Sequence, residues 1–135
     1  MIYVCELTIP ANTPKETPVR ETYPITAGLI TQIAVHWPWG PGNLCGVQLR
    51  HVSFQFWPLS PTRWFNSTTR DLVFAESHLV TEDDPRLDLD GYNLDDTFPH
   101  TVTVYVEVSR QGEASMYSGL WAALGSEVVY GPAAN

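Results

Sequence analysis

The segment HTVTVYVEVS (100–109) places Val102, Val104, Val106 and Val108 on one side of an extended chain and Thr101, Thr103, Tyr105 and Glu107 on the other. Such strict alternation, carried by β-branched residues, fits a half-buried strand and no helix. The same period of two recurs along the chain. MIYVCELTI (1–9) sets Tyr3, Cys5, Leu7 and Ile9 on one face, and RETYPI (20–25) is a short strand that Pro24 confines to a sheet edge. GLITQIAVHW (28–37) sets Leu29, Thr31, Ile33, Val35 and Trp37 against Ile30, Gln32, Ala34 and His36. GVQLRHVSFQFW (46–57) reads as one strand whose apolar phase changes near Arg50–His51, the sign of a bulge. DLVFAESHLV (71–80) and RLDLDGY (86–92) complete the set, the latter with Leu87 and Leu89 inward and Asp88 and Asp90 toward solvent.

Between these runs lie PANTPKETPV (10–19), PWGPGN (38–43), PLSPTRWFNSTTR (58–70), TEDDP (81–85) and NLDDTF (93–98), all read as loops or turns. The 11 prolines and 9 glycines are spread along the chain and favour many short elements over a few long helices. Seven or eight closely spaced strands predict an all-β fold, an antiparallel β-sandwich of jelly-roll or Greek-key type, over residues 1–110. Residues 111–135 form a separate apolar C-terminal arm, helical or extended. Met116, Leu120 and Leu124 share one helical stripe with Tyr117, Trp121 and Ala122 beside it, and SEVVYG could add a strand. The arm either closes its own sandwich or docks on a neighbouring subunit.

At 135 residues the chain fits one domain with a core large enough to need no staple. Its formal net charge of −8 opposes duplex nucleic acid and anionic membrane surfaces as partners. Cys5 and Cys45 match neither a redox nor a zinc spacing; they read as two buried thiols or as a single bridge. MIYVCELTI has no basic n-region, so no signal peptide is expected.

The acidic run DLDGYNLDD (88–96) raises the question of a cation site. With Gly91 at the sixth position of a calcium loop, Asp88 and Asp90 fit the third and fifth, but Arg86 and Thr97 occupy the first and twelfth, where ligands are required. A strand followed by a turn of Asn93, Asp95 and Asp96 accounts for it better. His36, His51, His78 and His100 form no metal or nucleophile motif, so no catalytic residue, metal or cofactor is expected. A jelly-roll enzyme would need His36, His51 and His78 to converge. Trp37 and Trp57 are expected to plug the core. Trp39 and Trp64, with Phe65, sit in Pro/Gly/Asn-rich loops and are candidates for a contact surface, either subunit or glycan.

Taken together, LTIPANTPKETPV, GLITQIAVHWPWGPGNLCGVQL, FQFWPLSPTRWF and LDGYNLDDTFPHTVTVYVEV resemble small β-sandwich proteins of bacterial viruses and environmental sequences. The resemblance spans roughly residues 7–109 and rests on turn and core signatures. It implies a non-enzymatic structural subunit of a virion or other extracellular assembly, such as a capsid decoration or tail-associated protein. The expected partners are copies of itself, through Trp39, Trp64, Phe65, Met116, Leu120, Trp121 and Leu124, and a capsid or other assembly protein. The alternative is a carbohydrate-binding module using the loop tryptophans.

Overall fold

The computed structural model describes residues 1–38, 40–52, 54–67 and 71–109. Trp39 and the arm, including Met116, Leu120, Trp121 and Leu124, lie outside the described residues, as do the helix and strand expected within the arm. Nine strands occur among the described residues: β1 (Ile2–Ile9), β2 (Val19–Pro24), β3 (Gly28–His36), β4 (Cys45–His51), β5 (Phe54–Trp57), β6 (Phe65–Asn66), β7 (Asp71–Val80), β8 (Arg86–Asn93) and β9 (His100–Ser109). They form two antiparallel sheets, one ordered β1-β9-β3-β7 and the other β2-β8-β4-β5 with β6 also paired to β4. The pairs β1·β9, β2·β8, β3·β7 and β4·β5 are those of a single antiparallel ribbon folded at its middle and rolled, so successive rungs fall in alternate sheets. This is the jelly roll, and the expected all-β sandwich is what forms.

The core lies between the sheets. Val102, Val104, Val106 and Val108 are fully buried; with Leu7 and Ile9 of the neighbouring strand β1 they face Val47, Leu49, Leu87 and Leu89 of the other sheet. Each such side chain contributes about 1.5–3 kcal/mol relative to exposure. Trp37 and Trp57 are buried as expected, although neither indole Nε1 has a hydrogen-bond partner among the described residues. Cys5 and Cys45 are free buried thiols, and burial pushes each up to about 12. Gly91 allows the sheets to close: a Cβ there would lie 2.6 Å from Ile9 Cδ1 and 2.9 Å from Leu7 Cδ2.

Four expectations need correction. Residues 46–57 are not one strand but the hairpin β4–β5, with Leu49 opposite Trp57 and His51 opposite Phe54. The expected irregularity near Arg50 is present, as a register shift between Leu49 and Arg50, but the chain also reverses just after it, where Val52 takes φ 52°, a conformation β-branched residues rarely enter. In β3 the pairing with β9 slips by one residue between Ile30 and Gln32, so Ile30 opposite Val108 and Ile33 opposite Val106 both point inward. Leu29 and Thr31 therefore do not share the buried face of Ile33, Val35 and Trp37. The stretch 58–70 contains the two-residue strand β6 rather than loop alone. Asp88 and Asp90 are buried, not solvated, because β8 is covered on both faces.

Candidate functional site

The outer face of the β2-β8-β4-β5 sheet carries two cross-strand polar rows: Arg20–Asp90–Gln48 and Thr22–Asp88–Arg50–Gln55. A third row pairs Tyr92 with Gly46 and Gly46 with Asn66. The Tyr92 ring lies directly on Gly46, whose missing side chain leaves it room; a Cβ would meet Tyr92 Cε2 at 2.2 Å. Loop 10–18 and loop 58–64 rise over these rows and wall a cleft of about 550 Å³. Its walls include Lys15, Glu16, Thr62 and Trp64, and its floor Gln48, Arg50, Gln55 and Asp90.

Asp90 is the anchor of the floor. Only 1% exposed, it accepts from Arg20 Nε at 2.6 Å and Nη2 at 2.9 Å, and from Arg50 Nε at 3.2 Å. The hydrogen bond to Asp90 raises the Arg20 guanidinium above its usual range. Arg50 Nε also donates to Gln48 Oε1 at 3.3 Å, and Thr22 Oγ1 donates to Asp88 Oδ1 at 2.7 Å. Gln48 and Gln55 hold the covering loop: each donates to the Arg63 carbonyl at 3.0 Å, and Gln55 also to Pro58 at 2.8 Å. Trp64 is fixed edge-on against Tyr92 with centroids 5.0 Å apart, and Lys15 Nζ stands 5.0 Å from the Tyr92 ring centre. Burial raises the Tyr92 phenol, with the Asn66 hydrogen bond working in the opposite direction.

Of the contact residues expected in loops, the structure brings Trp64 to the cleft wall. Phe65 turns the other way, its ring 4.1 Å from Trp57 and 5.0 Å from Phe74, and packs against the core. It is half-buried there. The cleft residues that sequence reasoning missed are Arg20, Gln48, Arg50 and Gln55. Their signal was the alternation of Gln48 and Arg50 with Val47 and Leu49, which placed two polar groups on one face of a strand.

The acidic run resolves into structural brackets. Asn93 is fully buried; its Nδ2 donates to the Ile9 carbonyl at 3.1 Å and the Phe98 carbonyl at 2.9 Å. Its Oδ1 accepts from Asp95 N at 2.9 Å and Cys45 Sγ at 3.3 Å. Asp95 accepts from Thr97 N and His100 Nε2, and the His100 bond is the chief cause that lowers its carboxyl below the usual range. No cluster of three or more His, Cys, Asp or Glu side chains suited to a metal occurs among the described residues.

His51 and His78 do meet, but His36 instead pairs with Asp71. His51 Nε2 lies 3.0 Å from the Asp84 carbonyl, so it carries a proton, and its Nδ1 accepts from His78 Nε2 at 3.1 Å. This clasp joins β4 of one sheet to β7 of the other, with His78 stacked on Phe56 at 4.0 Å. Burial, then the neighbouring His51, lowers the His78 pKa. A depressed folded-state value means stability present in full above the free-imidazole range near 6.5 and lost as pH falls through the folded value. The melting temperature is therefore expected to fall from pH 7 to pH 5, and His78→Gln should flatten that decline; parallel profiles for the two proteins would disprove the clasp.

Neither protein-family models nor curated proteins match the chain. Among the described residues no helix is long and apolar enough to cross a membrane.

Proposed function

We propose that the protein is a non-enzymatic structural subunit of a virion or other extracellular assembly, a capsid decoration or tail-associated protein, and that it associates with further copies of itself. The observation that carries this reading is the outer face of the β1-β9-β3-β7 sheet. An antiparallel sheet facing water normally alternates apolar-in with polar-out. Here Val4, Tyr105, Ala34 and Val73 stand in one register row across all four strands. Val4 is 59% exposed and Val73 62%, and Ile2, on the same face of β1, adds to the strip. A groove of about 270 Å³ between Ala34, Tyr105 and Val73 indents it. Contiguous apolar surface of this kind marks an interaction site, and a two-fold pairing of the same strip is the simplest closed arrangement. The jelly roll is a fold that viral capsids employ, and the sequence resemblance points the same way.

Light scattering tests the proposal. The full chain is expected to be oligomeric, Val73→Glu to raise the dissociation constant at least about tenfold, and deletion of residues 111–135 to leave a folded sandwich that assembles less tightly. A full chain that stays monomeric, or variants that assemble with unchanged size, would defeat it.

A further inference from the structure

We propose that the cleft on the outer face of the β2-β8-β4-β5 sheet binds a saccharide carrying a carboxylate or sulfate group. This site lies on the sheet opposite the apolar strip and does not depend on self-association. Its size, about 550 Å³, suits one or two sugar rings.

The charge distribution selects an acidic ligand. The chain carries 15 acids against 7 bases, yet three of those bases, Lys15, Arg20 and Arg50, line this one cleft against two carboxylates, Glu16 and Asp90. Asp90 is shared between both guanidiniums and orients them, while Asp88, the register partner of Arg50, also acts electrostatically on Arg20. The Arg20 side chain remains 47% exposed, so it presents part of its planar fork to the opening. Guanidiniums fixed in this way recognise carboxylate and sulfate oxygens through paired N–H donors.

The remaining groups select a sugar over a plain anion. Trp64 provides an indole surface for the apolar face of a pyranose, and contact with Tyr92 holds it in place at no cost in mobility upon binding. Thr62, Gln48 and Gln55 bring hydroxyl and amide groups to the same cavity, the chemistry that hydrogen-bonds ring hydroxyls. Acidic residues elsewhere on the protein oppose a bare polyanion, which favours a ligand with isolated charges spaced along neutral surface.

Calorimetric titration of the full chain with a hyaluronan hexasaccharide, a heparin hexasaccharide, neutral cellohexaose and polyglutamate tests the site. Saturable binding of at least one acidic hexasaccharide is expected, with none of cellohexaose. Lys15→Gln and Trp64→Ala should each weaken it about tenfold, and added salt should weaken it further. Lys15 lies on an exposed loop, so Lys15→Gln carries the test should Trp64→Ala fail to fold. Binding of cellohexaose with equal affinity, polyglutamate displacing the saccharide, no acidic hexasaccharide bound, or binding indifferent to Lys15→Gln would each overturn the proposal.

Discussion

Replacing Asn93 by alanine is expected to destabilise the protein by about 3 kcal/mol, since each buried group that loses its partner costs roughly 1–3 kcal/mol. Asn93 is wholly inaccessible to water, so no solvent molecule takes over its bonds. Its side chain ties three separate segments together: the end of β1 through the Ile9 carbonyl, the start of β4 through the Cys45 thiol, and the 94–99 turn through Asp95 N and the Phe98 carbonyl. Its backbone also exchanges two hydrogen bonds with Thr13 at 2.8 Å, which pins the long 10–18 loop. Alanine leaves those backbone bonds intact and removes only the side-chain set. Asn93→Asp separates donor from acceptor: it keeps an oxygen for Asp95 N but turns a carboxylate toward two carbonyls, so it should be at least as damaging. Leu94→Ala, one residue away and half exposed, should change stability by less than about 0.5 kcal/mol. Urea titrations with unchanged slope measure all three; a loss below about 1 kcal/mol for Asn93→Ala would show that the bracket is not holding the ends together.

The fold was legible where one face of a strand is wet. In β1 and β9 the alternation of Cys5, Leu7 and Ile9 and of the four valines maps directly onto burial, and Pro24 does close an edge strand. Three places resisted for physical reasons. The β4–β5 hairpin turns at Val52, a residue type with no preference for positive φ, so nothing in its chemistry announces a turn. The slip in β3 exchanges inward and outward positions after Ile30, and the pattern LITQI offers no glycine to mark it. In β8, period two separates Asp88 and Asp90 from Leu87 and Leu89 correctly, but periodicity does not say whether the polar face meets water or a loop. Here loops 10–18 and 58–64 cover it. That cover is why the cleft was only partly visible: Trp64 stood out as a loop aromatic, whereas Arg20, Gln48 and Arg50 acquire meaning only once three strands lie side by side.

Asp90 joins the energetics of the fold to the proposed site. Asp90→Ala is expected to cost about 3–4 kcal/mol, the range for removing one partner of a buried ion pair. The loss leaves two guanidiniums beside each other without the carboxylate that separates them. Arg20, nearly half exposed, can turn toward water, whereas Arg50 is the more enclosed. Removing all three charges together should behave differently. Asp90→Leu combined with Arg20→Met and Arg50→Met deletes the desolvation penalty along with the attraction, and such replacements are often neutral or stabilising. The triple variant should then recover most of the stability that Asp90→Ala loses, while the cleft keeps Trp64 and Lys15 but surrenders its oriented guanidiniums. If the triad exists to hold the sheet, the triple variant should bind an acidic hexasaccharide as the native protein does. If it exists to present charge to a ligand, denaturation curves will show a sound fold and calorimetry an abolished or much weakened titration. A triple variant as unstable as Asp90→Ala would mean that the packing of these side chains, and not their charge, sets the cost.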